Sequence, residues 1–164
     1  MTKRAHDSSR VEHAEVIQIT ERADVDSVCQ TVLTLPFEAR RKSRQRVRLD
    51  DGRAAALLLP RGVVLRQGDM LRATDGTLIK VHAAPEQVST ASTGDPLLLA
   101  RAAYHLGNRH VALQIGHAWL RYLHDHVLDE MVSDMGLEVR VECVPFEPES
   151  GAYSGIHVHH HAHD

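Results

Sequence analysis

The feature that most constrains how this chain folds is a change of period at Pro85. Before it, no apolar run exceeds the six residues of Ala54 to Leu59, and Gly, Asp and Pro break the pattern repeatedly. Glu15 to Thr20 alternates polar and apolar, as a half-buried strand does. Asp26 to Phe37 reads as a further extended stretch. Gln45, Val47 and Leu49 share one strand face, and Arg44, Arg46 and Arg48 the other, with Asp50-Asp51-Gly52 as the following turn. Ala54 to Leu59 is then a buried strand, ended by Pro60-Arg61-Gly62. Val63 to Leu65, Met70 to Ala73 and Thr77 to Ala83 supply three more short strands, separated by Gln67-Gly68-Asp69 and Asp75-Gly76. Short strands with such frequent turns indicate a compact β domain.

After Pro85 strands and helices mix. Gln87 to Ser92 is strand-like. Asp95-Pro96 has the signature of a helix start, with Asp as cap and Pro in the first turn, and Leu106-Gly107-Asn108 ends that helix. Val111 to Ile115 and Ala118 to Leu123 are strand-like. In Asp125 to Met135 the residues Val127, Leu128, Met131, Val132 and Met135 lie on one helical face, and Gly136 stops the helix. Glu138 to Val144 alternates as a last strand. The order β-α-β-β-α-β is the ferredoxin-like arrangement. The expected fold class is therefore α+β. An all-β domain (residues 1–85) precedes a ferredoxin-like βαββαβ domain (86–147) and a flexible His-rich tail (148–164) without core periodicity.

Composition narrows the function classes. The net charge of −3 argues against wholesale binding to nucleic acid or an anionic membrane. Arg40 to Arg48 is strongly basic but lacks interleaved aromatics and runs into Asp50-Asp51, so it reads as a solvated strand face or a protein-docking surface. Cys29 and Cys143 form neither a CxxC pair nor a disulfide framework, and Cys143 is expected to pack within the last strand. The N-terminal residues carry no apolar stretch of the secretory kind, and no run is long enough to span a bilayer. The expected location is the cytoplasm.

Thirteen of the 164 residues are histidine, and ten of these lie at or beyond His105. Neutral imidazole suits nickel, zinc and copper, and a metal needs several such donors converging on one point. Three groups offer them. His110 stands at a helix-to-strand junction, as either an ordinary surface or core histidine or, near a two-fold axis, one half of a shared site. His124-Asp125-His126 opens the last helix, where Asp125 is either simply a cap with solvated neighbours or the centre of a ligand pair. The tail residues His157, His159, His160, His161 and His163 form a dense group that would collect divalent metal without fixed geometry; the alternative is an expression tag, which would ordinarily be unbroken. His6, His13, His82, His105 and His117 are assigned other roles. The spacing His124-x-His126-x-x-x-Glu130 matches part of the cupin motif, but it runs into helical periodicity rather than a strand. No phosphate loop of the GxxxxGK type and no nucleophile with an evident base are present. A metal-dependent hydrolase using His124, His126 and a carboxylate would need a closed pocket with an open metal position.

Several motifs in order give the chain a more specific likeness. Lys42-Ser43-Arg44, Leu49-Asp50-Asp51-Gly52, Leu59-Pro60-Arg61-Gly62 and Gly68-Asp69 come first. Leu106-Gly107-Asn108-Arg109-His110, Leu113-Gln114-Ile115, His124-Asp125-His126-Val127-Leu128, Pro145-Phe146-Glu147-Pro148-Glu149 and Gly151-Ala152-Tyr153 follow. Together they resemble the urease accessory protein UreE family along most of the chain. The resemblance implies a homodimeric, non-enzymatic nickel metallochaperone that donates Ni²⁺ to the urease apoprotein with its accessory GTPase complex, and binds neither nucleic acid nor membrane. It implies that the N-terminal domain docks proteins and that His110 is the principal ligand, meeting its symmetry mate at the dimer interface. His124 and His126 would be further ligands, and the tail histidines additional nickel capacity. Zn²⁺ or Cu²⁺ would also bind such donors, since ligand type alone does not select nickel. Binding is expected to weaken as pH falls through about 6.5, where imidazole takes up a proton. The alternative is a nickel or zinc storage and buffering protein without a delivery partner.

Overall fold

The structure is a computed structural model that describes residues 16–24 and 28–150. Expectations for the segment before residue 16 and for the histidines beyond residue 150 lie outside the described residues. Two compact units divide the chain. One holds the residues up to Thr34 together with Arg40–His82; the other holds Leu35–Ala39 and the residues from Ala83 onward.

The first unit is a six-stranded sheet of β1 (Ile17–Ala23), β2 (Thr31–Leu35), β3 (Arg44–Arg48), β4 (Ala54–Leu58), β5 (Met70–Ala73) and β6 (Leu78–Ala83). The strand order is β2-β6-β5-β1-β4-β3, and β1 pairs parallel with β4. Strands β3 and β4 form a hairpin in which Arg48 pairs with Ala54. Its turn closes through the Gly52 N–H, which donates to the Leu49 carbonyl at 2.9 Å, with Gly52 at φ 93°. Ile19, Leu33, Leu57, Leu71, Ile79 and Val81 are fully buried, while Arg44, Arg46 and Arg48 alternate outward as their spacing predicts.

One local expectation fails here. Val63 to Leu65 is not a strand: the Leu65 N–H donates to the Arg40 carbonyl, and the Val64 and Leu65 carbonyls accept from the side chains of Arg22 and Arg40. Buried Arg40 and exposed Arg22 thus replace a neighbouring strand as partners of this backbone. A four-residue helix, α1 (Phe37–Arg40), begins at Phe37, the last residue of the stretch expected to be extended.

The second unit carries β7 (Pro85–Ser92), α2 (Pro96–Gly107), β8 (Gln114–Ile115), β9 (Trp119–Leu123), α3 (His126–Asp134) and β10 (Glu138–Pro145). The sheet order is β10-β7-β9-β8 with every neighbouring pair antiparallel, which is the ferredoxin-like topology. Both helices start as the sequence indicates. Asp95 accepts from the Leu97 and Leu98 N–H groups, and Asp125 from those of Val127 and Leu128. These bonds satisfy donors that the first helical turn leaves orphaned. Ala91, Ala102, Leu106, Leu120, Tyr122 and Val132 form the buried centre. Val111 and Leu113 pack against that centre, and the expected strand over Val111 to Ile115 shrinks to the two residues of β8. Cys143 is exposed rather than packed: on edge strand β10 Val139 reaches the core, but Val141 and Cys143 on the same face do not. Among the described residues no helix is long and apolar enough to cross a membrane.

This topology gathers particular chain ends. Leu123 at the end of β9 pairs with Val88 near the start of β7, and Pro145 at the end of β10 pairs with Pro85. Because β8 runs antiparallel to β9, the start of β8 lies at that same end of the sheet. The connection from α2, the start of α3 and the exit from β10 therefore share one end.

Candidate metal centre

His110 lies in the connection from α2 to β8. It is the sole non-glycine with a positive φ among the described residues, at 57°. Its N–H donates to the Gly107 carbonyl at 2.8 Å, and the next N–H, of Val111, donates to Leu106 at 3.2 Å. This bond pair is the Schellman ending of a helix, with Leu106 and Val111 supplying its apolar contact and His110 in the left-handed position. The helix ends at Gly107 and is capped by Asn108, within the Leu106-Gly107-Asn108 stop that the sequence indicates, but Gly107 has no positive φ. A left-handed conformation costs an L-residue about 1–2 kcal/mol relative to glycine. The His110 imidazole is exposed at this strained corner.

His124 and His126 flank the α3 cap at the same sheet end. The His124 backbone N–H donates to the Gln87 carbonyl at 3.1 Å, which extends the β9–β7 ladder by one residue. Its Nδ1 lies 3.0 Å from Ser89 Oγ and 3.1 Å from Asp129 Oδ2. The other Asp129 oxygen accepts from the Tyr122 hydroxyl at 2.9 Å. Ser89 and Tyr122 are fully buried, and the His124 side chain keeps 30% of its exposure. Burial, together with the Asp129 carboxylate, raises the Tyr122 hydroxyl above the usual phenol range, so it remains a donor. His126 opens α3 and is exposed.

The fold thus brings His110, His124 and His126 to one end of one sheet. Among the described residues of a single chain, no three His, Cys, Asp or Glu side chains converge closely enough to hold a metal ion. The chain leaving β10 stays at this end through Glu149, whose N–H donates to the Leu113 carbonyl at 2.7 Å, three residues after His110. His157, His159, His160, His161 and His163 lie outside the described residues.

Both units of the chain match known protein families. The UreE urease accessory protein N-terminal domain family matches residues 12–84, and its C-terminal domain family matches residues 86–164. The chain belongs to the UreE family. A urease accessory protein UreE of Alkalilimnicola ehrlichii is 57% identical over 140 residues, covering 85% of this chain and 86% of its own. One from Citrobacter koseri is 52% identical over 150 residues, covering 90% and 99%. One from Pseudomonas putida strain GB-1 is 60% identical over 129 residues, covering 77% and 78%.

Sequence reasoning singled out His110, His124 and His126 but missed Ser89, Tyr122 and Asp129 around His124. Ser89 lies thirty-five positions from His124, too far for any local motif. The available signal was weaker: a serine at a buried strand position needs a polar partner.

Proposed function

We propose that this chain binds Ni²⁺ and donates it to the urease apoprotein while the urease metallocentre is assembled. The observation that carries this reading is the convergence of His110, His124, His126 and the base of the tail on one end of the second sheet, in a chain of the UreE family. The protein acts as an accessory factor in the cytoplasm, not as an enzyme. Its working unit is a homodimer in which His110 meets its symmetry mate. A second chain adds a second His110 as donor, as a site at a two-fold axis allows.

The tail histidines collect Ni²⁺. Glu149 is bonded beside the segment that follows His110, and His157 is eight residues further along. Eight residues reach at most ~29 Å, so the tail can deliver to that corner. Two imidazoles leave the coordination sphere open, and an incoming ligand can attach before the old ones leave. Residues 1–85 dock the urease apoprotein and its accessory GTPase complex, and residues 86–147 carry the primary site. Zn²⁺ and Cu²⁺ bind the same donors, so partner docking and metal supply confer selectivity.

Nickel calorimetry on the full chain and on one ending at Gly151 tests the scheme. The shortened chain should lose several weak sites and keep one tight site per dimer. Within the full chain, His110→Ala should lower urease activation under limiting nickel. Loss of all binding with the tail, or unchanged activation by His110→Ala, would leave a storage and buffering protein instead.

A further inference from the structure

Of the three described candidate ligands, only His124 has its ring engaged by other side chains among the described residues. We propose that Asp129, itself held by the Tyr122 hydroxyl, is a positioning residue that fixes His124 as the Nδ1–H tautomer and so reserves Nε2 for metal. The proposal rests on the reading of His124 as a ligand.

The argument is one of proton counting. An ionised carboxylate can only accept hydrogen bonds. Its 3.1 Å approach to Nδ1 is favourable when that nitrogen carries the hydrogen, and unfavourable when two lone pairs face each other. Ser89 Oγ, 3.0 Å from the same nitrogen, can share the hydrogen as a second acceptor. The opposite tautomer would let the serine hydroxyl donate to a bare Nδ1, but would press the carboxylate against the lone pair. A charge-assisted hydrogen bond outweighs a neutral one by roughly twofold, so the carboxylate decides. The tautomer of a histidine follows the partner of its other nitrogen, and here that partner is Asp129.

The parts of the clamp are fixed independently of metal. Tyr122 and Ser89 are fully buried on β9 and β7, and Asp129 sits one turn into α3 with its side chain only 17% exposed. Nε2 of His124 has no hydrogen-bond partner among the described residues, and neither ring nitrogen of His110 or His126 has one. A carboxylate behind a ligating imidazole fixes the ring and raises its basicity, and losing such a partner typically weakens metal binding about 10–100-fold. His124 is therefore a pre-aligned donor at this sheet end.

Long-range ¹H–¹⁵N correlation spectra of the full-length, metal-free protein at neutral pH test the tautomer directly. His124 should show a protonated Nδ1 and a bare Nε2; the reverse pattern overturns the proposal without any mutation. Nickel titration then tests the consequence. At the site that His124→Ala removes, Asp129→Ala should bind Ni²⁺ about 10–100-fold more weakly and lose the Nδ1–H signature. Asp129→Asn, which keeps an acceptor oxygen but not the charge, should fall between. Unchanged affinity in Asp129→Ala alongside a loss in His124→Ala would overturn the clamp and leave the ligand intact. No effect of His124→Ala would remove the ligand reading itself, and the clamp with it.

Discussion

Helices α2 and α3 begin alike and end alike, yet differ at one residue. Each starts on an aspartate that accepts two backbone N–H groups. Each ends in the same pair of bonds: for α3, Gly136 N–H to Ser133 at 2.9 Å and Leu137 N–H to Val132 at 3.3 Å. The left-handed position is Gly136 at φ 101° in α3, and His110 at φ 57° after α2. Glycine is the ordinary occupant of such a position because it has no Cβ to crowd the following carbonyl. The motif forms its two hydrogen bonds with either residue. What histidine adds is an exposed imidazole at the sheet end where His124 and His126 also lie. Local strain of this kind motivates the proposal that this corner is functional.

The comparison can be broken most forcefully at α3. Gly136→His should cost about 2 kcal/mol, read as a lower urea midpoint, because φ 101° lies well beyond the left-handed well that L-residues tolerate. A Cβ there would meet only Leu98 Cδ2, at 3.7 Å, so the loss would be of backbone and not of packing. An unchanged midpoint would show that the two ends are interchangeable.

The helix starts should behave as equals in stability and as opposites in metal binding. Asp95→Ala and Asp125→Ala each remove a cap, and each should cost about 1 kcal/mol. Asp125 stands between His124 and His126, so its replacement should also disturb nickel titration, while Asp95→Ala leaves it intact. Equal titrations would separate the cap from the site.

Much of this was legible in the sequence because it is local. The caps Asp95 and Asp125 and the stop at Gly136 depend on residues a few positions apart. What stayed hidden depends on distant partners. The four residues of α1 are too few to show a period. Val63 to Leu65 has strand composition, but its backbone is claimed by Arg22 and Arg40. The site divides in the same way. His110, His124 and His126 stand out by residue type, whereas the Ser89 and Tyr122–Asp129 contacts with His124 appear only once β7, β9 and α3 are assembled. The left-handed His110 was also partly readable. Leu106 and Val111 flank it with the apolar spacing of a helix ending, but the stop at Leu106-Gly107-Asn108 falls just short of it.

The smallest effect is the most discriminating. His110→Gly removes the left-handed penalty of about 1–2 kcal/mol, but glycine also loses about 0.5–1 kcal/mol more backbone entropy on folding. The net should be a gain of about 0.5–1 kcal/mol, seen as a higher urea midpoint with an unchanged slope. His110→Ala keeps a Cβ in the same conformation and should gain nothing. Both variants lack the imidazole and should lose the tight nickel site equally. Stability and metal binding would then move in opposite directions in one variant, and metal binding alone in the other. That pattern would mark His110 as a residue the fold would exchange for glycine and the metal site would not. If His110→Gly instead lost stability, the imidazole would be supporting the α2 ending itself, and its left-handed conformation would carry no functional meaning.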